Sequence, residues 1–312
     1  DDRSTDRTGE IISDLAEGDD RLRLVRIEEL SDGWCGKNHA MQRGIEQTTG
    51  EWILMHDADC RQVCPRTLKL AVQHALDTQA DMLSLLPEHH LGGFWEDYLQ
   101  PICSGVLMIW FRPDRVNDVG RTTAFANGMF MLMRREAYDA IGTHEAVKSS
   151  LIEDMDMARR VKGCGMTLRV APSTDLFRVR MYTTLSQIHR GWVRIFVGSF
   201  QTLGGLAKAL AVLVGRGVTP TVMCAVGWIM ATSGVAPQAW WRSLAAVGTF
   251  SLAAQLIMTA RYYKHLKSRW YYGLTYPLGC AMVAAMLVRA MVKLRPGGTI
   301  LWRGTRYCIR NA

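Results

Sequence analysis

The stretch Glu51 to Asp59, EWILMHDAD, decides how the first part of this chain folds. A short apolar run rich in strand formers ends in two carboxylates around one small residue. That pattern fits a buried strand delivering acidic side chains at its carboxyl end, where α/β sheets bind ligands. Outward from it, Arg21 to Ile27 (RLRLVRI), Asp81 to Leu86 (DMLSLL) and Gly128 to Met133 (GMFMLM) read as further strands. Lys37 to Gln47, Pro65 to Asp77 and Glu153 to Lys162 read as helices, the second with proline in its first turn. The alternation predicts an α/β fold over residues 1–190, a doubly wound parallel or mixed sheet with helices on both faces.

Charge divides the chain. Its 312 residues are 48% hydrophobic and 21% charged, with a formal net charge of +8. All 29 acidic residues lie in 1–190, beside 23 of the Lys and Arg; residues 191–312 hold 14 Lys and Arg and no acid. A long acid-free stretch rich in Ala, Leu, Val, Met and Trp reads as an α-helical membrane region with cations at the lipid–water boundary. Positive charge set between apolar runs, not along a polar face, argues against nucleic acid as a partner. The eight cysteines form no zinc pattern and are expected to be reduced thiols.

Val218 to Ala236, Ser243 to Ala260 and Gly273 to Val292 are apolar runs of about the length needed to cross a bilayer. Ile195 to Val214 carries Lys208 and Gly204-Gly205 and is expected to lie at the interface. Two basic clusters follow: Arg261, Lys264, Lys267 and Arg269, then Lys293, Arg295, Arg303, Arg306 and Arg310. Three full crossings would put them on opposite sides, against the positive-inside tendency. Gly273 to Val292, with Pro277 near its start, is therefore the predicted re-entrant run.

Several short motifs can carry chemistry. Asp1-Asp2-Arg3-Ser4-Thr5-Asp6 precedes a helix and can either cap it or accept hydrogen bonds from a base or ribose. Gly33-Trp34-Cys35-Gly36-Lys37-Asn38 is a glycine-flanked loop entering a helix, where backbone N–H groups and Lys37 suit a diphosphate. Asp57 and Asp59 would repel unless a cation or base offsets them; a divalent cation that also meets substrate phosphate would do so. His56 is more plausibly a packing neighbour than a ligand. Glu153-Asp154 at a helix start can cap the helix or supply a general base. Gln187-Ile188-His189-Arg190-Gly191-Trp192 offers an amide, a cation and an indole, and equally fits a juxtamembrane anchor.

Taken in order, DDRSTD, GWCGKNHA, EWILMHDAD, NGMFMLMRREAYDAIG and IEDMDMARR resemble the inverting glycosyltransferases of family 2, with a GT-A fold. The resemblance covers about residues 1–192. The apolar tail ending in LWRGTRY looks like that of the lipid-directed branch, which includes ceramide glucosyltransferase-like and hopanoid- or carotenoid-associated members. It implies a GT-A-like sheet lacking its N-terminal strand, because Asp1-Asp2 should follow a buried strand. On that reading roughly 30–50 residues precede this sequence.

The resemblance implies a nucleotide-sugar donor bound by Asp1, Asp2, Lys37 and Asp57. It implies a divalent cation, Mg²⁺ or Mn²⁺, on Asp59 and a catalytic base at Asp154. Asn127, Gly128, Glu153, Gln187, Arg190 and Trp192 fall on the acceptor side. The family's Gln-x-x-Arg-Trp motif is altered here, since Gly191 stands between Arg190 and Trp192. The implied layout is a catalytic domain over 1–190, an interfacial helix over 191–217 and a transmembrane region over 218–312 with a basic tail. The implied protein is a multi-pass resident of a bacterial inner membrane with its catalytic domain cytoplasmic, transferring sugar to a lipid hydroxyl.

Three rivals share parts of this pattern. A nucleotidyltransferase would need a glycine- and arginine-rich phosphate loop that the sequence lacks. A polysaccharide synthase-like transferase would need more apolar segments. A non-catalytic nucleotide-sugar-binding scaffold would bind donor without transfer.

Overall fold

The computed structural model describes residues 1–302 and 305–308, so Arg303 and Arg310 of the expected basic tail lie outside the described residues. The chain begins with α1 (Thr8–Glu17), α2 (Gly36–Ile45), β1 (Trp52–His56), β2 (Cys60–Gln62) and α3 (Thr67–Asp77). It continues through β3 (Met82–Leu86), β4 (Glu88–His89), α4 (Phe94–Trp110), α5 (Pro113–Val116), β5 (Phe130–Arg134) and α6 (Arg135–Ala140). Then follow α7 (Glu153–Gly163), β6 (Leu168–Pro172), β7 (Phe177–Val179), α8 (Leu185–Phe200) and α9 (Leu203–Gly217). The last helices are α10 (Thr219–Thr232), α11 (Gln238–His265) and α12 (Tyr276–Lys293), the last preceded by a 3₁₀ turn over Trp270–Thr275. Two compact units result. The first is residues 1–88 and 111–179, and the second is 89–110 with 180 onward.

The first unit is built on a mixed sheet of order β1-β5-β3-β6. β5 runs antiparallel to both β1 and β3, while β3 and β6 are parallel. The two inner strands carry four consecutive buried residues each, whereas edge strand β1 alternates, burying Ile53 and Met55. That contrast follows from inner strands being covered on both faces. Pairing of His56 with Phe130 matters most for function. It brings the end of β1 beside the entry to β5, where the Asp57 N–H donates to the Met129 carbonyl at 3.4 Å.

Two sequence expectations change here. Arg21 to Ile27 is not a strand. It contributes a single parallel bridge between Asp2 and Ile27, supported by the Asp1 ammonium donating to the Val25 carbonyl at 2.8 Å. A strand needs a partner along its length, and among the described residues this segment pairs with Asp1 and Asp2 alone. The parallel partner of β3 is instead β6, LRVAP, whose interrupted apolar pattern hides it in the sequence.

In the second unit, α11 (28 residues) and the 24-residue run Trp270–Lys293 are long and apolar enough to cross a membrane. α10 has 14 residues; at about 1.5 Å per residue it is shorter than a hydrocarbon core of about 30 Å. It ends at Ser233 and Gly234, the latter at φ +75°. The run Gly273 to Val292 thus sits inside a continuous candidate span and is not the bent one. The bend lies between α8 and α9, which meet at 119°.

That bend also breaks the single interfacial helix expected over Ile195 to Val214. Gln201 takes a left-handed conformation at φ 55°, and the Thr202 hydroxyl then caps α9 by accepting from the Gly205 N–H at 3.0 Å. Stop and start signals in adjacent residues turn the chain.

Candidate active site

The first unit gathers its acidic motifs around one lysine. The chain enters α2 through Gly36 with Cys35 extended, so Lys37 stands in the first turn of the helix. Its ammonium lies 2.7 Å from Asp57 Oδ1 at the end of β1 and 2.7 Å from Glu153 Oε1 at the start of α7. Burial opposes a charged lysine here, but the two carboxylates outweigh it and raise the Lys37 pKa above its ordinary value.

Asp154 sits beside this pair. Its Oδ2 accepts the Gly128 N–H at 2.7 Å, and its Oδ1 accepts the Met155 N–H at 2.8 Å. A Cβ at residue 128 would lie 3.2 Å from Asp154 Oδ2 and 3.4 Å from Lys37 Nζ. Glycine therefore lets backbone approach both groups. A helix N-terminus by itself favours an ionised carboxylate. The balance runs the other way: burial first, then the charge of Glu153, push its carboxyl up to about 7. Lys37 and the two backbone N–H groups pull it down, and they lose. A carboxyl poised near neutrality is suited to proton transfer.

Two residues that the sequence reading passed over hold this cluster in place. Asn38 is fully buried, and its side-chain amide faces the carbonyls of Val147, Lys148 and Ser150 at 2.8, 3.2 and 3.0 Å. It ties α2 to the loop that leads into Glu153-Asp154. Ser84, also fully buried, accepts the Asn127 N–H at 2.7 Å, fixing the turn that presents Gly128. Asn127 spends its own side chain in that turn, accepting the Met129 N–H at 3.0 Å. Neither Asn38 nor Ser84 could be singled out beforehand, because each works through backbone more than 40 residues away.

The N-terminal motif forms the other end of the site. Asp1, Arg3, Ser4, Thr5, Arg26 and Glu28 are among the residues around a concavity of about 600 Å³. Asp1 Oδ1 accepts the Ser4 N–H at 3.1 Å. Asp2 does not line that space. It pairs with Arg3 at 3.0 Å and approaches the helix entry, where a Cβ at residue 36 would lie 2.5 Å from its carboxylate. Gly36 is thus the joint between the concavity and Lys37.

Among the described residues, no three His, Cys, Asp or Glu side chains are disposed to hold a metal ion. Asp59 is exposed, and Asp57 is already paired with Lys37. The Cys60 thiol is pushed up to about 12 by burial and by the charges of Asp59 and Asp57, so it stays protonated. Hard carboxylate oxygen is what remains. Such a set fits a magnesium-like ion that takes one or two protein carboxylates and completes its shell with phosphate and water. It does not fit a cage built from protein ligands alone.

Gln187, Arg190 and Trp192 lie in the second unit on α8, each with a local task. Gln187 completes a capping box with Thr184, Arg190 donates to the Ser186 hydroxyl at 2.7 Å, and Trp192 is buried against Phe196. Gly191 has a steric reason. The Tyr182 ring packs directly on its backbone, in space that a Cβ would need.

Residues 1–142 match the family described as glycosyl transferase family 2. Residues 1–142 are therefore similar to a family 2 glycosyltransferase domain. Its curated relatives include the beta-monoglucosyldiacylglycerol synthases of Nostoc sp., 28% identical over 174 residues, and of Trichormus variabilis, 27% identical over 174 residues. Each alignment takes in 52% of this chain and 33% of the relative, so the chain spans about a third of the length of these proteins. Among solved structures, a mannosyltransferase from Pyrobaculum calidifontis in complex with GDP-Man and Mn²⁺ aligns with TM-score 0.48 and 19% identity, covering 91% of this chain and 76% of that one. The S. aureus TarS 1–349 complex with UDP-GlcNAc aligns with TM-score 0.40 and 13% identity, covering 98% and 85%.

Proposed function

We propose that the protein is a membrane-bound, inverting, metal-dependent hexosyltransferase that moves a sugar from a nucleoside-diphosphate donor to a lipid hydroxyl. The observation that carries this reading is the convergence of Asp57 and Glu153 on Lys37, with Asp154 and Lys37 both against the Gly128 backbone. The lipid class of the acceptor is supported by the names of the curated relatives and by the two apolar helices of spanning length.

Asp154 takes the proton of the acceptor hydroxyl. The oxygen attacks the anomeric carbon from the face opposite the diphosphate, a new C–O bond forms, and the bond to the diphosphate breaks with its electron pair leaving on phosphate oxygen. Lys37 exchanges one carboxylate partner for a diphosphate oxygen, an anion its site already favours. Asp59 would hold a divalent cation, Mg²⁺ or Mn²⁺, which would supply Lewis-acid offset of the charge on the leaving group. Asp1 and Asp2 hold the nucleoside end, with Asp57 on the sugar diphosphate. Asn127, Gly128 and Glu153 face the acceptor.

In this reading the first unit works at the cytoplasmic face of a bacterial inner membrane, residues 191–217 lie near the interface, and 218 onward form the multi-pass anchor. Membranes holding the protein, incubated with a panel of labelled nucleotide sugars, should yield one labelled lipid whose mass gives sugar and acceptor. Donor binding with no labelled product in any combination would replace transfer by a scaffold role.

A further inference from the structure

We infer that the end of α12 carries a binding site for the phosphate of an anionic phospholipid headgroup, built from Arg289, Lys293 and the backbone loop Pro296–Thr299. These residues surround a concavity of about 360 Å³ in the second unit. Arg289 and Lys293 are one helical turn apart and share a face. Like charges at that spacing repel, and among the described residues of the second unit no acid is left to offset them. The described acidic residues of the second unit are Glu96 and Asp97, and both are taken: Glu96 by Arg180 at 3.0 Å, Asp97 by Arg269 at 3.7 Å. Arg289 forms no ion pair among the described residues, and its charge also acts on His189 of α8, which feels Arg190 as well. Positive charge therefore accumulates at this end of the unit.

Two local effects offset only part of it. Lys293 donates to the Thr299 carbonyl at 2.9 Å, which uses one of its three protons. The carboxyl end of α12 carries about half an elementary negative charge, less than either side chain brings. Loop geometry favours an anion further. Gly297 turns the chain at φ +77°, and Gly298 folds back so closely on the Lys293 carbonyl that no side chain fits there. The headgroup is the favoured source of phosphate because both cations stand at the end of a helix of spanning length, at the depth where lipid phosphates lie. Guanidinium and ammonium together match a phosphodiester, the first through paired N–H groups and the second as a point charge.

The test uses the full chain in detergent micelles, titrated with phosphatidylglycerol, with phosphatidylcholine and with inorganic phosphate, and read by native mass spectrometry and thermal unfolding. Phosphatidylglycerol should remain bound after collisional stripping of detergent and raise the unfolding temperature, whereas phosphatidylcholine should do neither. Arg289→Gln with Lys293→Gln should weaken retention at least tenfold. Arg242→Gln, a cation on α11, should leave it unchanged, and Arg289→Lys should retain part of it. Equal retention of both lipids, or retention by the double variant, overturns the inference. Equal stabilisation by inorganic phosphate overturns the headgroup as its source. If the double variant fails to fold, Arg289→Gln alone decides, by losing or keeping phosphatidylglycerol.

Discussion

Lys37 bridges two carboxylates, one from the end of β1 and one from the start of α7, with its Nζ 2.7 Å from Glu153 Oε1 and 2.7 Å from Asp57 Oδ1. Burial raises the Asp154 carboxyl most, Glu153 raises it further and Lys37 lowers it, so this contact tunes the pH at which Asp154 can accept a proton.

The acidic limb of the transfer-rate profile should therefore fall near pH 7, with activity rising as Asp154 ionises. Glu153→Gln removes a neighbouring negative charge and should move that limb to lower pH. Lys37→Gln removes the opposing positive charge and should move it higher. Profiles of kcat against pH for the three proteins check both directions. A limb that does not move in either variant would detach Asp154 from the titration.

Asp154→Asn should separate catalysis from folding. The carboxyl of Asp154 is raised in the folded state, so the stability it contributes is present at low pH and is lost as pH climbs through about 7. Asparagine stays neutral throughout. The variant should be at least as stable as the parent at pH 8, with transfer down about a hundredfold to ten-thousandfold and donor affinity retained. Thermal melts beside rate measurements test this, and near-normal transfer would move the base elsewhere.

Chelation should abolish transfer, and added Mg²⁺ or Mn²⁺ should restore it, since the exposed Asp59 carboxylate and a diphosphate are both anionic and need a cation between them. Asp59→Asn should raise the metal concentration needed for half-maximal donor binding, read by calorimetry across a metal titration. Full transfer in excess chelator would count decisively against a metal role.

Asn38→Ala should leave the carbonyls of Val147, Lys148 and Ser150 without their buried donor, costing about 1–3 kcal/mol of stability. Because that loop aims Glu153 and Asp154, kcat should fall more than KM rises. Parallel losses in both would mean that Asn38 only stabilises the fold.

Gly191→Ala should disrupt the second unit, because its new methyl would occupy the space of the Tyr182 ring. Overpacking of this kind typically costs about 1–3 kcal/mol. Gly191→Ala combined with Tyr182→Ala should recover part of the lost thermal stability, whereas equal instability in both proteins would remove the steric explanation.

Much of this was legible in the sequence by itself. EWILMHDAD announced a strand ending in carboxylates, and β1 ends at His56 just before Asp57. The helices carrying Lys37 and Asp154 were readable from apolar spacing, and the acid-free stretch after residue 190 was readable from charge. Local pattern suffices where a segment's own periodicity and charge determine its environment. What only the tertiary structure decided depends on contacts distant in sequence. The antiparallel register that sets Asp57 beside Met129, the pairing of β3 with β6, and the reach of Asn38 across more than 100 residues are fixed by packing. So is the raised Asp154 carboxyl. A helix start alone favours the ionised form, and only burial beside Glu153, a property of the assembled unit, outweighs that dipole.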